Sequence, residues 1–261
     1  MFHPVVRAWF ERRFKGPSPV QERAFPAIAA GGDTLITAPT GSGKTLAAFL
    51  FCLDRLVAEA LRDGGAELDH TDVVYVSPLK ALSNDIHKNL EQPIAEIGAL
   101  AIELGHGAAA AGLRVAVRTG DTPAAERQRS TKRPPHVLVT TPESLFILLT
   151  SESGRRSLER VRTVILDEIH AVAPDKRGAH LALSVERLSD LVVRSGRPRP
   201  QRIGLSATVR PIEVAARLLV GARGAPPTIV DAGQRRDLDL LVEVPRDELG
   251  AVCTNEQWDE L

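Results

Sequence analysis

Aromatic side chains are scarce: they make up 4% of the 261 residues, with one tyrosine and two tryptophans. A surface that grips nucleic acid by stacking bases needs several exposed rings, so a base-stacking platform is not expected here. Cysteine is scarcer still. Cys52 and Cys253 stand far apart in no metal-ligand spacing, which excludes a cysteine-based metal site. Cys52 falls within an apolar helical pattern and reads as a small core residue. Reduced thiols fit a cytoplasmic setting, which is the expectation. A charge of one sign is also missing. With 33 basic and 33 acidic residues the formal net charge is zero, so no global field attracts a polyanion and any such attraction must come from local patches. No apolar run is long enough to cross a membrane, and no membrane partner is expected. The start, Met1-Phe2-His3-Pro4-Val5-Val6-Arg7, lacks signal-peptide organisation, and the partial retention-tail likeness of Trp258-Asp259-Glu260-Leu261 is discounted with it. Internal repeats and low-complexity segments are absent.

What is present is ordinary for a globular protein. Hydrophobic residues form 43% and charged residues 25% of the chain, enough for one large α/β domain or two small ones.

The rest of the chain is arranged around Ala38-Pro39-Thr40-Gly41-Ser42-Gly43-Lys44-Thr45. It follows Thr34-Leu35-Ile36-Thr37, a short run that reads as a buried strand, and precedes Leu46–Arg62, where Leu46, Phe49, Leu50, Leu53, Leu56, Val57, Ala60 and Leu61 recur at helical spacing. A strand, a glycine-bearing loop and a helix are the setting a phosphate-binding loop requires. Gly41 and Gly43 open backbone angles that let successive N–H groups point into one concavity, and the helix N-terminus adds unpaired N–H groups and a positive dipole end. Lys44 is placed to reach the β- and γ-phosphates of ATP, and the Thr45 hydroxyl to hold Mg²⁺. The first glycine of the usual pattern is replaced by Ala38.

Upstream, Val5, Val6, Trp9, Phe10 and Phe14 mark one side of a helix, and Pro17-Ser18-Pro19-Val20-Gln21 is a turn leading into a second helix that ends near Ile28. The Gln21 amide both donates and accepts, as an adenine edge demands; spacing alone leaves equal room for a surface glutamine near a helix start. Downstream, strands are read at Val73–Val76, Arg114–Arg118, His136–Thr140, Val164–Leu166, Arg202–Leu205, Thr228–Asp231 and Leu238–Val244. Helices are read from Leu79 to Leu90, from Thr122-Pro123 and Thr141-Pro142 (each a capping residue followed by proline), around Leu181–Val192 and over Ile212–Leu219. The final stretch, 245–261, carries no packed pattern. Continuous apolar strands alternating with helices give a mostly parallel sheet covered on both faces. Right-handed crossovers then bring the strand C-termini to one edge, where ligands bind such sheets. The segments 38–45, 77–82, 119–122, 140–143, 167–170 and 206–208 all begin at a strand C-terminus, which points to one composite site.

Asp167 ends an apolar strand, where a second Mg²⁺ partner belongs, and Glu168 beside it suits a group that orients water and takes its proton. Alone the pair would read as a solvated acidic turn; the loop at 38–45 reverses that. His170 reads either as a link to neighbouring segments or as a satisfied loop histidine. Ser206 and Thr208 are either partners of the acidic turn or a polar strand end. Backbone N–H groups, hydroxyls and helix N-termini at Ser77–Lys80, including Pro78 and Lys80, at Thr119, Gly120, Asp121 and Thr122, and at Thr141, Pro142 and Glu143 suit phosphate contacts of single-stranded nucleic acid. The basic stretch Arg127, Arg129, Lys132, Arg133 and the pair Lys176-Arg177 add salt-dependent attraction or form a solvated face.

This set of motifs resembles the first RecA-like domain of superfamily 2 helicases: Ala38–Thr45, Ser77-Pro78-Leu79-Lys80-Ala81-Leu82, Thr119-Gly120-Asp121-Thr122, Thr140-Thr141-Pro142-Glu143-Ser144-Leu145, Asp167-Glu168-Ile169-His170 and Ser206-Ala207-Thr208. Asp167–Leu188, containing Lys176-Arg177-Gly178-Ala179-His180-Leu181-Ala182-Leu183, is similar to the large helicase-related (Lhr) family within it. The resemblance runs from about Pro4 to Val244. It implies an α/β RecA-like P-loop domain over residues 1–231, with 232–261 forming a last strand and the start of a linker to a second RecA-like domain. It implies an ATP-dependent helicase motor using ATP and Mg²⁺ on DNA or RNA–DNA, with DNA repair as the expected pathway. It assigns Gln21 to adenine, Thr40, Gly41, Ser42, Gly43, Lys44 and Thr45 to the phosphates and metal, Asp167 and Glu168 to metal and water, and His170, Ser206 and Thr208 to coupling. Only 53 residues follow Thr208, too few for the second domain that supplies transition-state arginines in such motors. The expectation is a fragment that binds ATP and Mg²⁺ weakly and is a poor ATPase by itself, with a non-motor binding module as the alternative.

Overall fold

Short runs rich in branched and aliphatic residues cannot expose either face cheaply, so they fold as strands of a covered sheet. In the computed structural model, which describes residues 2–63, 70–78, 90–173, 175–208, 210–221 and 224–233, these runs form seven strands: β1 (Thr34–Thr37), β2 (Val73–Val76), β3 (Val115–Arg118), β4 (Val137–Thr140), β5 (Thr163–Leu166), β6 (Gln201–Ser206) and β7 (Thr228–Asp231). They make one sheet in the order β3-β4-β2-β5-β6-β1-β7, and every described pairing is parallel. Every residue of β1, β2, β4 and β5 is buried, whereas the edge strands β3 and β7 are partly open. The α/β fold with a parallel sheet, expected from the sequence, is the fold observed.

Successive strand residues point to opposite faces. Ile36, Tyr75, Val139, Ile165 and Leu205 enter a core with helices α1 (Pro4–Arg13), α2 (Pro19–Ala29), α3 (Lys44–Asp63) and α4 (Gln92–Glu103). Leu35, Val74, Val76, Leu138, Val164 and Leu166 enter the opposite core. That second core is built by helices α6 (Pro142–Thr150), α7 (Glu152–Leu158), α8 (Ile169–Val172), α9 (Lys176–Arg194) and α10 (Ile212–Val220). Helix α5 (Ala124–Lys132) buries nothing and touches α7. Strands β1 and β2 are separated in the sheet by β6 and β5, and the 20-residue α3 makes that crossing. It buries Phe49, Leu50, Leu53 and Leu56 completely or nearly so. Each such side chain stabilises the fold by about 1.5–3 kcal/mol relative to exposure.

The helix starts follow local chemistry. Ser18 and Gln21 form a reciprocal capping box at α2, Thr141 caps α6 through the Ser144 N–H with Pro142 in the first turn, and Asp175 caps α9 through the N–H groups of Arg177 and Gly178. One expectation is corrected. Thr122 does not cap the helix before which it stands: α5 starts at Ala124 behind Pro123 with no side-chain cap. The Thr122 hydroxyl is instead turned back to accept from the Thr119 N–H at 2.9 Å, closing the loop on itself. Helices α4 and α7 and the 3₁₀ turn Ala109–Gly112 have no counterpart among the sequence expectations. The expected helix from Leu79 and strand Leu238–Val244, with the tail beyond, lie outside the described residues. Among the described residues no helix is long and apolar enough to cross a membrane.

Candidate functional site

The sheet order sorts the marked segments. Along the C-terminal edge the segments after β3, β4 and β2 (119–122, 141–143, 77–78) stand together, and those after β5, β6 and β1 (167–170, 206–208, 38–45) follow.

The loop after β1 is anchored by Ala38 N–H donating to the Ser206 carbonyl at 3.2 Å and by Ser42 N–H donating to the Pro39 carbonyl at 3.3 Å. Gly41 and Gly43 have φ of +80° and +90°, where a side chain is strained. A Cβ on Gly43 would also lie 2.8 Å from the Gln21 Nε2. Gln21 is 5% exposed. Its Oε1 accepts from the Ser18 N–H at 3.0 Å and its Nε2 donates to the Gly43 carbonyl at 3.3 Å. The Ser18 hydroxyl donates to the Ser42 carbonyl at 2.9 Å. Gln21 therefore braces the loop with both ends of its amide. It also lines a cavity of about 560 Å³ with Trp9, Phe14, Gly43 and Gln92, whose rim is tied by Glu96 accepting from Trp9 Nε1 at 2.7 Å and Arg13 Nη1 at 2.8 Å. Phe14 and Trp9 read as core aromatics in the sequence. Their place beside the loop depends on α1 packing against α4, which no local pattern shows.

Lys44 opens α3 and is 4% exposed, and Thr45 is half-buried beside it, whereas Thr40 stands exposed at the loop's outer side. The Ser42 hydroxyl is buried without a hydrogen-bond partner. A positively charged helix start, a loop whose glycines leave N–H groups unobstructed and an orphaned hydroxyl fit a polyphosphate. Thr45 and Asp167 supply the hard oxygen donors that suit Mg²⁺.

Asp167 follows β5 with its N–H donating to the Val76 carbonyl at 2.8 Å. It is 8% exposed. Its Oδ1 accepts from the Glu168 N–H at 2.8 Å and its Oδ2 from the hydroxyl of Tyr75 on β2. Burial pushes the Asp167 carboxyl above the usual carboxylate range, against the Tyr75 hydrogen bond and the nearby charge of Lys44. Tyr75, the chain's single tyrosine, was legible only as an apolar strand residue. Glu168 sits in the left-handed region at φ 47°, ψ 41°, the sole non-glycine positive φ among the described residues. Such a conformation costs about 1–3 kcal/mol and turns the side chain out of the strand direction. The His170 Nδ1 accepts from the Ala207 N–H at 3.2 Å and lies 3.4 Å from the Ser206 hydroxyl. That assigns the ring proton to Nε2, which faces Glu168 Oε2 at 3.3 Å. His170 thus bridges the acidic pair and the β6 end. Thr208 is exposed, with its methyl beside Gly233.

On the other half of the edge, Thr119 and Thr122 close their loop by hydrogen bonds. Arg127 holds its outer carbonyls, donating to Thr122 O at 2.8 Å and Gly120 O at 2.7 Å. Asp121 N–H donates to the Thr119 hydroxyl at 3.3 Å. Ser77 N–H donates to the Thr140 carbonyl at 3.0 Å, which sets Pro78 beside the α6 start. Lys80 lies outside the described residues. Arg177 forms an ion pair with Glu143, so its charge is already engaged within the protein.

Known proteins carry the same arrangement. A family model described as DEAD/DEAH box helicase matches residues 18–216. An Lhr helicase and probable uracil glycosylase of Mycolicibacterium smegmatis is 48% identical over 260 residues, 100% of this chain and 16% of that protein. The ATP-dependent helicase Lhr-Core of Methanothermobacter thermautotrophicus is 45% identical over 98% of this chain and 29% of its own length. The solved structure of Mycobacterium smegmatis helicase Lhr bound to ssDNA and AMP-PNP superimposes with a TM-score of 0.81 at 48% identity, over 99% of this chain and 31% of that one. The DEAD-box helicase Mss116 shares the fold at a TM-score of 0.70 and 18% identity. The chain thus spans less than a third of the length of these Lhr relatives. Since the family model covers most of the chain, including each of the phosphate loop, the acidic turn and the β6 end, the chain belongs to the DEAD/DEAH box helicase family.

Proposed function

We propose that this chain is the ATP-binding half of a helicase motor, a RecA-like domain that binds ATP on one half of its sheet edge and single-stranded nucleic acid on the other. The carrying observation is the strand order, which puts the phosphate loop and the acidic turn on neighbouring strands β1, β6 and β5 and the three phosphate-contact segments on β2, β4 and β3. In this reading Gln21 supports the adenine end and the loop at 40–43 wraps the phosphates. Lys44 balances charge on the β- and γ-phosphates, and Thr45 and Asp167 hold Mg²⁺. Bound Mg²⁺ supplies charge neutralisation of the phosphate oxygens. Glu168 orients a water for in-line attack on the γ-phosphorus and takes its proton as ADP departs. His170, fixed by Ala207 N–H, presents its Nε2 proton to Glu168 and so reports the state of the acidic turn to the β6 end at Ser206 and Thr208.

Pro78, Lys80, Thr119, Gly120, Asp121, Thr141, Pro142 and Glu143 form the nucleic-acid side, where N–H groups and hydroxyls meet phosphates and bases go unread. A second RecA-like domain, as the greater length of the relatives allows, completes the transition-state charge clamp. The setting is cytoplasmic, the strand DNA or the DNA of an RNA–DNA duplex, and DNA repair the pathway that fits.

The test is ATP hydrolysis by the 261-residue chain with and without single-stranded DNA. Nucleotide binding with no turnover above the Glu168→Gln background is the expected signature of an ATP-binding half whose chemistry a second domain completes. Hydrolysis that DNA stimulates and Glu168→Gln abolishes would instead mean that the chain finds the missing arginines elsewhere, by self-association for example. No nucleotide binding would overturn the proposal, and binding that stays without turnover when a second RecA-like domain is supplied would make the chain a non-motor binding module.

A further inference from the structure

Glu143 is an unexpected neighbour for a nucleic-acid phosphate. It occupies the first turn of α6, whose N-terminal dipole and N–H groups would otherwise attract an anion. Arg177, from the first turn of α9, donates Nε to Glu143 Oε1 at 2.8 Å and Nη2 to the Pro78 carbonyl at 3.3 Å. One guanidinium thereby joins the segments after β2 and β4. Its own backbone is fixed, because Asp175 Oδ1 accepts from the Arg177 N–H at 2.7 Å and the Gly178 N–H at 3.1 Å. Gly178 is fixed in turn: a Cβ there would stand 2.2 Å from the Val172 carbonyl, so only glycine lets α9 seat so closely on α8. The arginine thus projects from a rigid base and is committed to two partners at once.

We propose that Arg177 is a positioning residue that makes the α6 N-terminus acceptable to a phosphate by cancelling the charge of Glu143 and tying the Pro78 segment to it. The proposal rests on the reading of this edge as the nucleic-acid side. It reverses the expectation that Lys176-Arg177 is a phosphate-attracting pair, at least for the arginine. An exposed ion pair adds little to stability, and the two side chains are 46% and 54% exposed, so stability is a weak reason for its existence. Burial raises the Glu143 carboxyl, but the Arg177 hydrogen bond and charge, the helix-start N–H of Glu143 itself and Thr141 together outweigh it, holding the carboxyl below the usual carboxylate range. A bare carboxylate there would repel a phosphate diester approaching the same helix start.

The test is a double-mutant cycle read by fluorescence anisotropy of a labelled oligothymidylate with the 261-residue chain at low salt. Arg177→Ala, which strips the counter-charge, weakens binding roughly fivefold, the scale of one like charge acting at short range near a protein surface. Glu143→Gln keeps the backbone N–H and removes the charge that Arg177 cancels, so it is the reference against which the double variant is read. Adding Glu143→Gln to Arg177→Ala restores most of the lost affinity, which a misfolded or merely loosened protein would not show. A double variant as weak as Arg177→Ala would mean that Arg177 touches nucleic acid directly and would overturn the proposal, as would wild-type affinity in Arg177→Ala. A wild-type chain with no affinity for the oligonucleotide overturns both this inference and the nucleic-acid reading of the edge.

Discussion

Single residues in the nucleotide half are shaped by what a backbone can do without a side chain. Gly43 has φ +90° and lies against the Gln21 amide, so the loop and α2 close on each other only while that position is glycine. Gly43→Ala should strain the backbone by about 1–2 kcal/mol and displace Gln21. The expected result is a loss of ATP affinity on the order of tenfold, equivalent to about 1.4 kcal/mol, read by titration calorimetry with unchanged far-ultraviolet circular dichroism. At the residue scale, placement was legible wherever a motif is contiguous in the chain. Lys44, Thr45, Asp167 and Glu168 stand where the strand ends put them. It was weak where a role depends on a remote partner. Gln21 has the paired hydrogen-bonding groups expected of it, yet both are spent on Ser18 and Gly43 in this structure. Arg127 and Arg177 looked like surface cations, and each proved to hold backbone carbonyls from a neighbouring motif.

Among elements, the edge strand β7 shows how a half-exposed strand is retained beside the phosphate loop. Asp231 at its end accepts from the Gly233 N–H at 3.0 Å, the Thr37 hydroxyl at 3.0 Å and Arg210 at 3.3 Å. The Gly233 N–H is the main cause holding the Asp231 carboxyl below its ordinary value, with burial opposing it and Thr37, Arg210 and Arg23 helping. A folded value below the unfolded one stabilises the fold above the ordinary carboxylate range, and the contribution is lost as pH falls through the depressed folded value. Urea unfolding from about pH 5 down to about pH 2 should therefore lose stability less steeply in Asp231→Asn than in wild type; equal slopes would show that Asp231 contributes nothing to acid sensitivity. The elements themselves were largely legible. Strands β2, β4 and β5 are nearly continuous apolar runs, and α3, α9 and α10 carry apolar faces at helical spacing. Helix α4 was missed although Ile94, Ile97, Leu100 and Ala101 share such a spacing, because its start lacks a capping side chain to punctuate it. The Thr122-Pro123 start failed for the opposite reason. The threonine had a competing acceptor role inside its own loop.

At the scale of the molecule, the two edges of the sheet are treated differently. At the N-terminal edge buried charges are paired with one another, although the Nε atoms of Arg55 and Arg202 are buried without a hydrogen-bond partner. Asp72, fully buried, is shared by Arg55 and Arg162, Arg162 also pairs with Glu59 at 2.6 Å, and the buried Arg202 is held by Glu186 at 2.6 Å and Ser189 at 3.0 Å. Such groups are expensive to bury unless their charges are paired, so they favour one strand register at that end. At the C-terminal edge the Ser42 hydroxyl lacks a partner, Glu168 is held in a strained backbone and Lys44 faces the acidic turn across the loop. In the proposed reading the strand order then divides that edge between two ligands. The sequence could show that every motif follows a strand, but the order of the strands, and with it the division, needed the fold.

The most direct check on this division is nucleotide binding to the 261-residue chain, measured with a fluorescent ADP analogue and Mg²⁺ in wild type and in Lys44→Ala. The account requires a saturable site in the wild type that weakens roughly ten- to a hundredfold when the lysine charge is removed. Equal affinity in the two proteins, or no saturable binding in either, would contradict the assignment of the β1–β6–β5 half of the edge to ATP.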